Sequence, residues 1–343
     1  MSSSHKSRSE GADGSSTGLD YYFDSYSHFG IHEEMLKDRV RTLSYKDAIC
    51  SNRHLFKDKV VLDIGCGTAI LSMFAVKAGA RLVIGVDMSD MIDHAREIVA
   101  INGFSDKILL LKGKMEEVEL PVQKVDIIIS EWMGYFLLYE NMFDTVLWAR
   151  DRYLDPVHGL MLPDSANMYL LGIEDAQYKD EKIHFWEDVY GFNMSPIKKL
   201  ALQEPLVDTV EPNAIVTEPF LFCSLNLMTL KKEDLSFKVP FSLLTTKNDY
   251  LHAFLSYFDV TFSACHKPIS FSTGPRDKYT HWKQTIFYLK KVLLVSKGET
   301  INGTISVAPN AVNCRNLDIE IEYAHESAKT GTTSKEHLFF SMS

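Results

Sequence analysis

Cysteine is scarce and scattered in this 343-residue chain: Cys50, Cys66, Cys223, Cys265 and Cys314 form no C-x-x-C pair, and no histidine sits at zinc-ligand spacing. That leaves no disulfide framework or structural zinc site to organise the fold, and the thiols read as buried or reduced groups of an intracellular protein. Long apolar runs are missing as well. No stretch approaches the ~18 uninterrupted apolar residues of a membrane span, and residues 1–20 contain no apolar core of a secretion signal. Ser2 rules out N-myristoylation. Basic excess is the third absence: 36 Lys and Arg stand against 46 Asp and Glu, a formal charge of −10. A phosphate-binding surface needs clustered cations, so neither direct nucleic-acid binding nor membrane attachment is expected, and basic partners are.

The composition that remains is that of an ordinary globular protein, 45% apolar and 24% charged, in a chain long enough for two domains. Ten of the first 20 residues are Ser or Gly, so residues 1–20 read as a disordered tail. From Tyr21 to Val40, aromatic and apolar residues recur at helical spacing with an interruption at Gly30, which predicts two short helices with a kink there. Four near-continuous apolar runs follow at 60–64, 82–86, 108–111 and 125–129, the mark of strands buried on both faces of a parallel sheet. Helical patterns at 70–80 and 90–101 separate them, giving a doubly wound α/β domain over 21–163. Beyond Pro163 the period changes to two. Leu317, Ile319, Ile321 and Tyr323 alternate with acids, as Leu221, Cys223, Leu225 and Leu227 alternate in part with polar residues, so 164–343 is expected to be an antiparallel β-sandwich or barrel. Within it, 174–208 carries Tyr178, Phe185, Trp186 and Tyr190 at helical spacing, as a projecting arm would.

Two features carry chemistry. Val60-Val61-Leu62-Asp63-Ile64-Gly65-Cys66-Gly67-Thr68 is a strand entering a glycine turn, the place where ligands lie in such sheets. Asp87 closes the second strand and suits ribose hydroxyls. The dinucleotide fingerprint would need glycine at Ile70, which disfavours a nicotinamide oxidoreductase. The turn has no basic phosphate ligand, so a nucleoside without phosphates, S-adenosylmethionine, fits better than a bare structural turn. Glu116 is placed to meet an adenine amino group, though a solvated glutamate would look the same. The second feature is Glu131 and Glu140, bracketing a largely apolar loop. Such acids need a cationic partner or a raised pKa. Two glutamates alone are a thin metal site, and a helix cap plus a surface acid is the bland alternative. A guanidinium, with its planar fork of donors, fits the pair best.

The same residues resemble the eukaryotic protein arginine methyltransferases, closest to the predominant type I, asymmetric-dimethylating kind. The likeness runs from Tyr22-Phe23-Asp24-Ser25-Tyr26 through Gly30-Ile31-His32-Glu33-Glu34-Met35-Leu36, the glycine turn and the double-Glu loop to Tyr279-Thr280-His281-Trp282. It implies a Rossmann-like domain followed by a β-barrel with a helical dimerisation arm at about 174–208, hence a homodimer or larger ring. It implies Glu131 and Glu140 as the substrate-arginine clamp, with His281, Met35 and Tyr26 beside them. Arg41 would bind the cofactor carboxylate; His32, Asp63, Gly65, Gly67, Asp87, Glu116, Phe23 and Met115 would hold the rest of S-adenosylmethionine, released as S-adenosylhomocysteine. The implied substrates are Arg/Gly-rich RNA-binding proteins and histones, in nucleus and cytoplasm, with no metal. One departure stands out. Ala69 occupies a position where the family usually has a third glycine, which would hinder cofactor binding if φ is positive there and is benign if it is helical. Two other readings remain open: a methyltransferase for small molecules, which would not need both acids, and a silent dimeric scaffold that binds Arg-rich tails.

Overall fold

The computed structural model describes residues 26–343; the expected tail at 1–20 and the candidate ligand Phe23 lie outside the described residues. Two helices, α1 (Phe29–Lys37) and α2 (Arg39–Cys50), lead in. The chain breaks twice here: at Ser27 and His28, between helical Tyr26 and the start of α1 at Phe29, close to the interruption expected at Gly30, and again at Asp38. Asp38 adopts ψ 98° and accepts the Arg41 amide at 3.0 Å, capping α2. At both breaks a side chain caps the helix that follows, His28 accepting the Gly30 amide as Asp38 accepts that of Arg41.

After the single-turn α3 (Arg53–Phe56), the chain alternates: β1 (Val60–Ile64), α4 (Ile70–Ala78), β2 (Leu82–Asp87), α5 (Met91–Ile101), β3 (Ile108–Lys112), β4 (Ile127–Ser130), α6 (Phe143–Tyr153) and β5 (Leu160–Leu162). All pairings are parallel, in the order β3-β2-β1-β4-β5. Every residue of β1 and β4 is buried, as their unbroken apolar runs require. Each fully buried Leu, Ile or Val there contributes about 1.5–3 kcal/mol, enough for the sheet to carry strained loops at its carboxyl edge.

The second half is two antiparallel sheets. Strands β6 (Ser165–Ile173), β7 (Leu206–Asp208), β8 (Phe220–Asn226), β10 (Asp249–Phe262), β11 (Ile269–Ser272) and β12 (Gln284–Val295) form one; β9 (Phe237–Leu244), β13 (Thr300–Pro309), β14 (Leu317–Glu326) and β15 (Thr333–Met342) form the other. They face each other through ring pairs such as Phe254–Tyr323, Phe241–Phe254 and Phe287–Phe340, closing the expected barrel. In β14 the alternation holds, with Leu317, Ile319, Ile321 and Tyr323 all inward. In β8 it does not. A bulge opposite Met168/Tyr169 shifts the register, turning Leu221 outward and Phe222 inward.

The arm consists of α7 (Ala176–Lys182), a 3₁₀ turn (His184–Glu187) and α8 (Ser195–Ala201). Tyr178, expected on a partner, instead packs within the chain: its hydroxyl donates to Asp208 at 2.9 Å and its ring lies against the small core of Leu171, Ile173 and Ile183. Phe185, Tyr190 and Phe192 do face outward. Otherwise one hydrophobic core runs through both halves of the chain.

Candidate active site

The strand order reverses between β1 and β4, since β1 and β2 step one way across the sheet and β4 and β5 the other. A crevice must open at that point beyond the carboxyl ends. It is a cavity of about 320 Å³ lined by Tyr26, His32, Met35, Arg41, Gly65, Gly67, Asp87, Met115, Glu116, Glu131, Glu140 and His281. The helical lead-in, the four strand ends and the Thr-His-Trp element, far apart in sequence, thus meet in one place.

The glycine turn favours glycine at both positions. Gly65 and Gly67 have φ of 68° and 50°, and an added Cβ would sit 2.6 Å from Met142 Cε at Gly65 and 3.0 Å from His32 Cε1 at Gly67. The Gly67 amide donates to Asp87 Oδ2 at 2.8 Å, while the amide and hydroxyl of Ser89 hold Oδ1. A carboxylate has further lone pairs, so Asp87 fixes the turn and still presents acceptor capacity to the cavity.

Asp63 belongs elsewhere. It is fully buried behind the turn and does not line the cavity; its Oδ2 accepts from Ser72 on α4 at 2.6 Å and its Oδ1 has no hydrogen-bond partner. Burial pushes its carboxyl up to about 6, against the opposing pull of the Ser72 hydrogen bond. Asp63 ties β1 to α4, contrary to the expectation that it faces the ligand. Ala69 has φ 62° and ψ 24°, left-handed as a glycine would prefer, yet its methyl is buried in the core and away from the cavity wall.

The loop after β4 is strained at two places. Phe136, Leu137, Glu140 and Asn141 all have positive φ, from 48° to 72°, and a Cβ on Gly134 would lie 2.0 Å from the Tyr139 carbonyl oxygen. Such conformations persist only where surroundings over-determine them, and they gather at functional sites. Here the second domain supplies that constraint. Trp282 Nε1 donates to the Met133 carbonyl at 2.8 Å, and its ring stacks on Phe271. The neighbouring His281 gives its amide and Nδ1 to Asp38 Oδ2 at 2.9 and 2.7 Å, so two adjacent residues pin both the α1–α2 break and the acid loop. That bond, with the capping of α2, holds the Asp38 carboxyl below its ordinary range although burial works the other way.

Glu131 Oε2 takes Arg41 Nε at 2.9 Å, with each side chain only 7% exposed. Glu131 Oε1 is buried and unpartnered. A second guanidinium presented there would satisfy it. Tyr26 donates its hydroxyl to Glu140 Oε2 at 2.8 Å, and Thr145 donates to Glu116 Oε1 at 2.7 Å. Met142, Thr145 and Arg315 also line the cavity and went unread in the sequence. A signal for Arg315 did exist: Asn310, Asn313 and Asn316 at equal spacing mark a loop knitted by side-chain amides.

These residues fit S-adenosylmethionine. A glycine turn with little room for a Cβ, a strand-end carboxylate and a buried arginine suit a nucleoside with an amino-acid tail. Fold and site together define an S-adenosylmethionine-dependent methyltransferase with two glutamates, Glu131 and Glu140, in its cavity.

Comparison with known proteins narrows the class. Residues 164–328 match the arginine methyltransferase oligomerization subdomain, and residues 49–139 match the ribosomal protein L11 methyltransferase family. Protein arginine N-methyltransferase 1 of Schizosaccharomyces pombe is 63% identical over 312 residues, 91% of this chain and 92% of the relative. Its Dictyostelium discoideum counterpart is 56% identical over 324 residues, 94% and 95% of the two chains. Among solved structures, the Trypanosoma brucei PRMT1 enzyme-prozyme heterotetrameric complex with AdoHcy superposes with a TM-score of 0.90 at 50% identity, covering 93% of this chain and 100% of that one. Arabidopsis thaliana protein arginine methyltransferase 10 follows with a TM-score of 0.84 at 30% identity, covering 93% and 99%. The chain belongs to the protein arginine N-methyltransferase family.

Proposed function

We propose that the chain methylates arginines of Arg/Gly-rich segments in RNA-binding proteins and histones, giving mono- and then asymmetric dimethylarginine. The observation that carries this reading is the unpartnered, buried Glu131 Oε1 in the same cavity as Glu140 and the glycine turn. When bound, S-adenosylmethionine supplies an electrophilic methyl carbon on sulfur and leaves as S-adenosylhomocysteine. Gly65, Gly67 and Asp87 would hold its nucleoside, Met115 and Glu116 its base, and Arg41 and His32 its amino-acid end. Glu131 and Glu140 grip the substrate guanidinium. A protonated guanidinium is a poor nucleophile, and two carboxylates on its fork localise the charge and aim one terminal nitrogen, so catalysis rests on positioning and electrostatics. Met35 borders the cavity where a second methyl must fit.

The acidic surface charge supports basic tails as substrates. The exposed arm aromatics support a head-to-tail homodimer, and the substrate class supports residence in nucleus and cytoplasm. Mass spectrometry of an Arg-Gly-rich peptide incubated with protein and S-adenosylmethionine should show one and then two added methyl groups, with fragmentation assigning both to one nitrogen. Glu140→Gln should lower kcat/KM at least ~100-fold. It is the cleaner variant, because Glu131→Gln also strips Arg41 of its buried partner. An unmodified peptide, or a fully active Glu140→Gln, defeats the proposal.

A further inference from the structure

Arg315 approaches the acid pair from the opposite domain. It sits in the loop at 310–316 between β13 and β14, lines the cavity, and makes a two-point contact with the second acid: the Glu140 amide donates to the Arg315 carbonyl at 2.9 Å, and Arg315 Nη1 donates to the Glu140 carbonyl at 2.6 Å. Glu140 is a residue that needs holding. Its φ of 72° puts an L side chain in the left-handed region, with Asn141 beside it at 48°. Fixing both the N–H and the C=O of one residue fixes its φ and ψ, and with them the direction in which Cβ and the carboxylate leave the backbone.

The loop that delivers Arg315 is built to be stiff. Asn310 Oδ1 accepts the amides of Val312 and Asn313 at 2.9 and 3.1 Å, and its Nδ2 donates to Asp318 at 3.0 Å. Asn313 Oδ1 accepts the Arg315 amide at 3.2 Å, and the Asn310 amide closes the loop on the Asn316 carbonyl at 2.9 Å. Each asparagine replaces water with a fixed local bond, so the loop keeps one shape with no helix or strand to support it.

We infer that Arg315 is a positioning residue for the reaction, acting through Glu140: it locks the left-handed backbone of the second acid and thereby sets the angle at which the substrate guanidinium is presented. This rests on the arginine-methyltransferase reading of the site. A rigid clamp matters because a displacement of about 1 Å at a reacting group can cost ~100-fold in rate.

Full-length wild type, Arg315→Ala, Arg315→Lys and Asn313→Ala are compared with an Arg-Gly-rich peptide and S-adenosylmethionine for kcat and KM, and with S-adenosylhomocysteine by calorimetry. Arg315→Ala is expected to lower kcat about 10- to 100-fold, with a much smaller change in KM and less than about threefold change in affinity for S-adenosylhomocysteine. Arg315→Lys, which keeps a cationic donor for the Glu140 carbonyl, recovers part of the loss. Asn313→Ala leaves the guanidinium in place but loosens the loop; it gives the same signature in weaker form and serves if Arg315→Ala does not fold. A kcat within about twofold of wild type in Arg315→Ala overturns the inference. So does a kcat loss matched by an equal loss of S-adenosylhomocysteine affinity, which marks general collapse of the cavity, and so does a lysine variant no better than alanine. An inactive wild type would instead sink the arginine-methyltransferase reading, so the two failures are told apart.

Discussion

At the level of single residues, Ala69 shows how a rule can be broken without harm. Its left-handed backbone costs an alanine about 1–2 kcal/mol, but the residue saves unfolded-state entropy relative to glycine and buries a methyl worth about 0.8 kcal/mol. The terms nearly cancel. Ala69→Gly should therefore shift the urea-unfolding free energy by less than about 1 kcal/mol and leave affinity for S-adenosylhomocysteine nearly unchanged. Ala69→Val should lose about 3 kcal/mol or more, because a β-branched side chain resists positive φ and overfills the core. Equal stability of the valine variant would contradict the assigned backbone. The sequence marked Ala69 as the position to watch but could not give its φ or the direction of its methyl. Asp63 was misread for a related reason: in the sequence, a carboxylate at a strand end looks the same whether it faces the ligand or the helix behind it, and only the Ser72 contact separates the two.

Among elements, the parallel strands were legible because burial on both faces leaves an apolar run that no exposed segment imitates. Boundaries governed by caps and bulges were not. The Asp38 cap and the β8 bulge depend on hydrogen bonds and register, to which hydrophobic period is blind. The acid loop combines both lessons: its two glutamates announced themselves, whereas its geometry rests on close backbone approach at Gly134 and on Trp282, 149 residues downstream of Met133. Gly134→Ala should accordingly cost about 3 kcal/mol or more, since backbone cannot yield as a side chain can. Activity should fall even where the fold survives. Denaturant unfolding and peptide methylation on the same preparation check this, and a variant that keeps both stability and rate would refute the assigned loop.

For the molecule as a whole, the arm presents apolar rings to water at a density that a monomer has little reason to keep. Tyr190 is 96% exposed, with Phe185 and Phe192 outward near it, while Tyr178 and Asp208 anchor the arm's base within its own chain. The ring-exposing tip and the anchored base should respond differently. Replacing Phe185, Tyr190 and Phe192 by Ala should shift sedimentation from dimer toward monomer with little change in melting temperature. Tyr178→Ala should instead lower the melting temperature. Dimers that persist in the triple variant would count against the arm as the contact. The aromatics at helical spacing pointed to short helices in this stretch, which are present, but could not say which of the rings the chain keeps for itself.

The clamp across the two domains has a consequence for how the protein comes into being. A chain emerging from a ribosome possesses the glycine turn and both glutamates once residue 140 has been made, but the side chains that hold that loop in shape come much later, Trp282 lying 149 residues after Met133 and Arg315 lying 175 residues after Glu140. A polypeptide made only as far as residue 140 therefore lacks the groups that align its acid pair, and the aligned pair must wait for residue 315.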